Sequence, residues 1–243
     1  MATEGRSSLM SRFVFVTGHV FGCRALEGIL SSSSMTRGEL DPVLVIGLSP
    51  RRHDSTVGYQ SPMLHARQAG TQYLETANGR LTDLSLQIRA SAPDYILVIG
   101  WSSLIPQQVA DLAKSKILGQ SGAIGMHPTK LPIGRGRAPI PWTILRGIEE
   151  SALSVFILQH QPDAGPLLAQ YPLSVSASET SGSLFWKFAD LHYHAGHDIA
   201  ASLASHQWTP EVQDESVATS WTKRTPDDGR IDSGMSTQQV SIL

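Results

Sequence analysis

Three runs of consecutive apolar residues constrain the fold of this chain more than any other feature. They span residues 13–16, 43–46 and 95–99, they are rich in β-branched and aromatic residues, and glycine follows each of them closely. A run that is apolar on both faces is typical of a strand buried in a parallel sheet. The segments between the runs space their apolar residues as helices do. This alternation predicts an α/β fold with a doubly wound, mostly parallel sheet and helices on both faces.

Later segments extend the same pattern. We predict a short strand that ends at His127, strands over 153–158 and 167–175, and a long helix over 180–203. The serine-rich stretch 31–34 is interpreted as a linker. Ligands of such sheets bind beyond the carboxyl ends of the strands, so the loops that follow the strands are the candidate site.

Composition narrows the class of protein. The chain has 243 residues, of which 41% are hydrophobic and 16% are charged, as expected for a compact globular enzyme. The net charge of −2 gives no general attraction to a phosphate backbone, so we predict no nucleic-acid partner. A single cysteine, Cys23, cannot form an internal disulfide. The first apolar run is too short for a signal peptide or a membrane span, so we predict a cytoplasmic protein without membrane attachment.

Two residues carry the strongest signal for chemistry. His127 leaves a strand and enters a loop rich in proline and glycine, and Asp163 lies in a turn directly after another strand. If the two side chains meet, the carboxylate would orient the imidazole, which is a recurrent arrangement for a general base. Histidines and aspartates in such positions are more often structural and turn-forming, so both interpretations stay open on these residues alone.

The sequence around these residues resembles the folate-dependent formyltransferases, which include enzymes acting on methionyl-tRNA, glycinamide ribonucleotide and amino sugars. Residues 126–142 resemble the signature segment of that family, and 163–170 resemble its Asp-x-Gly segment and the strand that follows. Residues 221–232 are similar to a tail motif of the sugar and tRNA branches. The resemblance covers most of the chain from 95 to 232.

The resemblance implies a formyltransferase (Rossmann-like) fold and transfer of a formyl group from 10-formyltetrahydrofolate to a primary amine, with no metal. It implies that His127 takes a proton from the amine or stabilises the oxyanion, while Asp163 holds the imidazole. The family has an Asn two residues before the His, where this chain has Gly125. Three alternatives follow: a water fills the space, the chemistry differs or is lost, or another donor replaces the amide. The candidate donors are Ser102, Ser103, Gln159 and Gln161.

The resemblance also implies binding residues on two sides of this centre. The candidates for the folate side are Gly100, Trp101, Ser102, Leu104, Ile105, Gln159 and Gln161. The candidates for the acceptor side are His19, Phe21, Arg135 and Arg137, because the first loop lies near the acceptor in the family and a forked guanidinium suits phosphate or carboxylate.

Two other motifs are rejected. Residues 17–22 lack the glycine set of a dinucleotide-binding fingerprint. His192, His194 and His197 suggest zinc, but His192 points away from the other two on a helix and no Cys or carboxylate completes the set. We therefore predict no metal site.

We divide the chain into a flexible N-terminus (1–11), a formyltransferase catalytic domain (12–206) and a C-terminal extension (207–243). Methionyl-tRNA formyltransferases carry an added C-terminal β-barrel, whereas this chain stops shortly after Asp232. We therefore expect a small-molecule acceptor, an amino sugar nucleotide or another small biosynthetic amine. The alternatives are a 10-formyltetrahydrofolate hydrolase and a non-catalytic folate- or nucleotide-binding homologue. Whether two chains form a homodimer stays open.

Overall fold

The computed structural model describes residues 10–237 and Val240, and it is built around one seven-stranded sheet. The strands in chain order are β1 (Ser11–Val16), β2 (Leu40–Leu48), β3 (Gln72–Thr76), β4 (Tyr95–Ile99), β5 (Lys116–Ile117), β6 (Gln120–Ser121), β7 (Ala123–His127), β8 (Arg135–Gly136), β9 (Glu150–Ile157), β10 (Leu167–Ser174) and β11 (Ser220–Trp221). The order across the large sheet is β10-β9-β7-β4-β1-β2-β3. Its five strands from β7 to β3 are parallel, β9 pairs with β7 in antiparallel orientation, and β10 pairs with β9 in antiparallel orientation. The predicted mostly parallel α/β fold is confirmed.

Helices cover both faces of this sheet. They are α1 (Val20–Leu30), α2 (Ser33–Thr36), α3 (Met63–Gln68), α4 (Ser85–Ser91), α5 (Gln107–Ala110), α6 (Pro139–Leu145) and α7 (Ser181–Ser205), with 3-10 turns at Pro50–Ser55, Leu81–Leu84, Glu215–Val217 and Pro226–Gly229. Helix α7 matches the predicted long helix. Its start is fixed by a capping box between Thr180 and Ser183. Within the described residues, no helix has both the length and the apolar character needed to cross a membrane.

The continuous apolar runs are explained by burial on two faces. In β1, Phe13 and Phe15 belong to the core cluster that includes residues of α1 and α7, whereas Val14 and Val16 belong to the cluster on the side of α4 and α5. Successive residues of a strand point to opposite faces, so a strand covered on both sides must be apolar at every position.

Two predicted boundaries are corrected. The stretch 31–34 is not a plain linker, because the Ser32 hydroxyl accepts a hydrogen bond from the Met35 N–H and caps α2. The predicted flexible N-terminus (1–11) extends too far, because Ser11 is buried, begins β1 and donates its N–H to Glu39 O. Residues 1–9 lie outside the described part of the chain.

The strand order of the sheet reverses beside β1. The chain runs outward from β1 through β2 to β3 and then returns to the other side of β1 with β4 and β7. Ligands bind at such a reversal, beyond the carboxyl ends of the strands. The loops after β1 and β4 approach closely there, since a Cβ built on Gly100 would lie 2.7 Å from the Cβ of His19.

Helices α1 and α7 pack closely because each presents a glycine at the crossing. A Cβ on Gly28 would lie 2.0 Å from Tyr193 O, and a Cβ on Gly196 would lie 2.1 Å from Ala25 O. Both obstacles are backbone atoms, so a side-chain rotation cannot relieve the clash. The crossing therefore tolerates no added methyl group without a shift of one helix against the other.

We predict that Gly196→Ala lowers the free energy of unfolding by about 1–3 kcal/mol, because it overpacks this crossing. Gly182→Ala, in the first turn of the same helix, is the matched control, since its Cβ would meet only Thr180 Oγ1 at 3.8 Å. The control should leave stability unchanged or raise it slightly, as alanine favours helix. Urea denaturation measures both variants, and equal losses would contradict the packing argument.

Candidate active site

His127 ends strand β7, and its ring is held in one orientation. The residue is buried, with 7% of its surface exposed, and its Nε2 lies 2.8 Å from Gly134 O. A carbonyl oxygen only accepts hydrogen bonds, so we assign the ring hydrogen of the neutral imidazole to Nε2. The other ring nitrogen, Nδ1, is therefore the atom that is free to accept a proton.

Asp163 faces that free nitrogen. Its Oδ2 lies 3.7 Å from His127 Nδ1, which is too long for a hydrogen bond but within range of an ion pair with a protonated imidazole. The same Oδ2 accepts a hydrogen bond of 2.8 Å from the Gly136 N–H. Asp163 lies in the turn after β9 with φ of 55°, in the left-handed region that Asp tolerates better than most residues. The structure thus brings together the histidine and the aspartate that the sequence analysis singled out.

One short segment holds both groups. Gly134 supplies the carbonyl for His127, and Gly136 supplies the N–H for Asp163. The segment is the parallel partner of β11, with the Arg135 N–H donating to Thr219 O and the Arg137 N–H donating to Trp221 O, both at 3.0 Å. Part of the predicted C-terminal extension (207–243) is therefore packed directly behind the candidate site.

The structure corrects the role predicted for Arg135. Its side chain is buried, donates to Gln213 Oε1 through Nε and Nη2, and forms an ion pair with Glu215. A guanidinium used in this way is structural and is not presented to an acceptor phosphate. Arg137 is exposed, and its guanidinium has no hydrogen-bond partner among residues 10–237, so it stays a candidate for acceptor binding.

The environment of Gly125 is apolar. A Cβ on Gly125 would lie 2.7 Å from Leu158 Cδ2 and 3.3 Å from Phe156 Cζ. Both side chains belong to a small apolar cluster with Leu131 and Leu167. The side chain of Leu158 therefore occupies the space where the family Asn would begin.

Four polar side chains were proposed to replace that Asn. None of them supplies the atoms nearest to a Cβ on Gly125, since the three closest atoms belong to Leu158 and Phe156. Ser102, Ser103, Gln159 and Gln161 are all exposed. Gln159 is hydrogen-bonded to Gln120 instead. The structure therefore gives no support to the prediction that one of these side chains takes over the role of the amide.

The folate-side candidates lie on two loops, one after β4 and one after β9. Gln159 and Gln161 line a cleft of about 510 Å³ together with Leu158, α5 and the β5–β6 hairpin. After β4, Gly100 begins a loop whose Leu104 is 74% exposed. The other residues predicted from this loop differ in burial: Ser102 is exposed, whereas Trp101 and Ile105 are partly buried against the core cluster on the α4 and α5 side.

The acceptor-side candidates His19 and Phe21 form part of an aromatic cluster. The Phe21 ring is buried, and its centroid lies 4.4 Å from that of His192 and 4.6 Å from that of Phe185. The predicted contact of Phe21 with the acceptor is therefore corrected, because the ring packs inside the aromatic cluster. His19 caps α1 by accepting the Phe21 N–H on Nδ1. Burial lowers the pKa of His19 to about 4, so it is neutral near pH 7 and offers no positive charge to a ligand.

The histidines of α7 show no sign of a metal centre. His192 is buried, and its Nδ1 lies 2.6 Å from Phe188 O, to which it donates. Burial lowers the pKa of His192 to about 3. Among the residues described by the structure, no group of three His, Cys, Asp or Glu side chains could hold a metal ion.

Comparison with known proteins decides the family. A family model described as formyl transferase matches residues 14–197, which is most of the chain and includes His127 and Asp163. The chain belongs to the formyl transferase family. A methionyl-tRNA formyltransferase of Stutzerimonas stutzeri (strain A1501) is 35% identical over 146 residues, which cover 60% of this chain and 45% of that protein. The chain spans about half the length of the curated relatives it matches.

Solved formyltransferase structures share the fold. Glycinamide ribonucleotide transformylase 1 from Symbiobacterium toebii aligns with a TM-score of 0.69 at 16% identity, covering 88% of this chain and 99% of that one. An N-formyltransferase from Helicobacter canadensis, in complex with folinic acid and dTDP-3-aminofucose, aligns with a TM-score of 0.68 at 12% identity. That alignment covers 96% of this chain and 79% of the other.

Restoring the Asn of the formyltransferase family should be costly in this chain. We predict that Gly125→Asn lowers the free energy of unfolding by about 1–3 kcal/mol, because the new side chain must displace Leu158. Adding Leu158→Ala should recover part of the loss, since it opens the space. Chemical denaturation of both single variants and the double variant measures the coupling. Strictly additive effects would show that the two positions do not compete for the same space.

Proposed function

We propose that this chain transfers a formyl group from 10-formyltetrahydrofolate to a primary amine, with His127 and Asp163 at the reacting centre. The observation that carries the proposal is the pairing of His127 Nδ1 with Asp163 Oδ2 at the carboxyl edge of the sheet. The family match supports formyl transfer as the reaction. The folinic acid bound by the Helicobacter canadensis enzyme supports a formyl-folate as the donor.

The reaction requires a proton to move. The amine nitrogen attacks the formyl carbon and forms the new C–N bond, which gives a tetrahedral intermediate with a negative oxygen and a positive nitrogen. His127 Nδ1 accepts the proton from that nitrogen. The bond from the formyl carbon to N10 of the folate then breaks as His127 returns this proton to N10, and the products are tetrahydrofolate and the N-formyl amine.

The contacts of His127 suit this role. Its Nε2 is bonded to Gly134 O, so the ring keeps Nδ1 on the side of Asp163. Once Nδ1 is protonated, the carboxylate stabilises the imidazolium. Once it carries the proton, Nδ1 can also donate to the negative oxygen of the tetrahedral intermediate. Loss of an oxyanion donor typically costs about 100- to 1,000-fold in kcat, so a chain with Gly125 should be slower than one with the amide.

The acceptor in this proposal is a small amine, and an amino sugar nucleotide is the preferred class. The Helicobacter canadensis structure contains such a ligand, and its alignment covers nearly the whole chain. Arg137 offers an exposed guanidinium on the loop next to the centre for the phosphates. A net charge of −2 gives no general attraction to tRNA, the acceptor named for the curated relatives. The cytoplasm, where the buried free thiol of Cys23 stays reduced, is the proposed location.

We expect His127→Ala and Asp163→Asn each to lower kcat by at least ~100-fold, because proton transfer loses its acceptor or the group that stabilises it. Binding of the folate, followed by fluorescence titration, should change little. His197→Ala is the matched control, since His197 and Asp198 form an exposed pair of the same residue types at 3.5 Å. Full turnover in either site variant would refute the assignment.

The acceptor can be identified by following release of tetrahydrofolate with and without a panel of amino-sugar nucleotides. Release that depends on one of them, with formation of its N-formyl product, is the expected result. Release of formate without any amine would establish the hydrolase instead. Folate binding without turnover would establish a non-catalytic binding protein, and turnover with only methionyl-tRNA would refute the small-molecule acceptor.

A further inference from the structure

The side chain of Gln213 reaches from the C-terminal extension to the turn that carries Asp163. Its Nε2 donates to Asp163 O at 2.8 Å and to Gly165 O at 2.7 Å, which uses both of its N–H groups. The residue is buried, with 4% of its surface exposed. Two backbone carbonyls on either side of Ala164 are thus tied to one amide from a distant part of the chain.

The other end of the amide is fixed as well. Gln213 Oε1 accepts hydrogen bonds from Arg135 Nε at 3.1 Å and from Arg135 Nη2 at 2.8 Å. Arg135 in turn pairs with Glu215, at 2.6 Å from Nη2 and 2.9 Å from Nη1. Gln213 and Arg135 are buried, whereas Glu215 is exposed. The contact between the two buried side chains is rigid, because displacement of either one leaves a buried polar group without a partner.

Arg135 links these hydrogen bonds to the segment that contacts His127 and Asp163. It lies between Gly134, whose carbonyl orients His127, and Gly136, whose N–H holds the Asp163 carboxylate. Gln213 therefore joins the Asp163 turn to the segment that carries the partners of both reacting groups. Gln213 and Asp163, which this contact joins, are 50 residues apart along the chain.

The backbone of Asp163 needs such support. A residue with a side chain rarely adopts a φ of 55°, and such conformations persist where surrounding contacts determine them. The backbone contacts within this turn are weak, since the Ala164 N–H lies 3.4 Å from Gln161 O. The amide of Gln213 supplies the two shortest hydrogen bonds to the carbonyls of this turn.

We propose that Gln213 is a positioning residue that sets the placement of the Asp163 carboxylate against His127 Nδ1. It contacts neither the substrate nor the reacting atoms, and it acts through the backbone of the turn. Its effect on turnover rests on the proposed function, whereas its effect on the geometry of His127 does not. The other imidazoles that interact electrostatically near this centre, those of His192 and His19, have no contact with Gln213 among the described hydrogen bonds.

The test is Gln213→Glu, which keeps the size of the side chain and the acceptor for Arg135 but sets a carboxylate oxygen against two carbonyls. We expect kcat to fall by at least ~10-fold while KM for 10-formyltetrahydrofolate stays within about twofold, since small misplacements of catalytic groups can cost up to ~100-fold. Val212→Ala is the control, because Val212 precedes Gln213 and is 75% exposed. Gln213→Met, which has a similar length and makes no hydrogen bonds, carries the same expectation should the glutamate variant fail to fold.

A second readout needs no turnover. In protein labelled with ¹⁵N-histidine, the ring-nitrogen resonances of His127, assigned by their loss in His127→Ala, should move in the Gln213 variants and stay in place in Val212→Ala. If the wild-type protein shows no turnover but the His127 resonances move in the Gln213 variants, the proposed function is refuted and the positioning role is supported. Unchanged resonances and unchanged kcat in folded Gln213 variants, with an active wild type, would overturn the positioning role and leave the function intact.

Discussion

The site depends on one hydrogen bond, from His127 Nε2 to Gly134 O. It fixes which nitrogen of the ring carries the hydrogen, and it leaves Nδ1 facing Asp163 as the nitrogen with a free lone pair. Gly134 can play this part because its own N–H is bound to Thr219 Oγ1 at 2.9 Å and its segment pairs with β11. The orientation of one imidazole therefore rests on a strand pair that lies outside the large sheet.

The surroundings of Gly125 are apolar. Where an amide would offer two N–H donors, Leu158 and Phe156 offer carbon atoms, which donate no hydrogen bonds. In the proposed reaction the oxyanion therefore receives no amide donor from this position, and the donor that we propose for it is the protonated His127.

Much of the fold was predictable because it rests on local patterns. Strands buried on both faces must be apolar throughout, and the runs in β1, β2 and β4 show this directly. His127 and Asp163 were found through their loop context and the family resemblance. Gln213 was not found, because nothing in the sequence around it distinguishes it from any other polar residue of a tail. Its importance arises from a contact between distant segments, which local patterns do not encode.

The roles predicted for Arg135 and Phe21 were wrong for the same reason, since both depend on contacts between distant segments. Arg135 has the chemistry to bind phosphate, and only its burial against Gln213 and Glu215 shows that the protein itself uses the guanidinium. Phe21 lies in the first turn of α1, directly after the expected loop, and its ring packs into the aromatic cluster. In both cases the residue type was interpreted correctly and the direction of the side chain was not. Direction is decided by tertiary packing.

The pairing of β8 with β11 also has a consequence for biosynthesis. A ribosome makes His127 and Asp163 before it makes Gln213, Thr219 and Trp221, because synthesis runs from the N-terminus. A nascent chain that ends before residue 213 contains both side chains but lacks the contacts that position them. The orientation of His127 and the placement of Asp163 therefore depend on a segment that is synthesised after both of them.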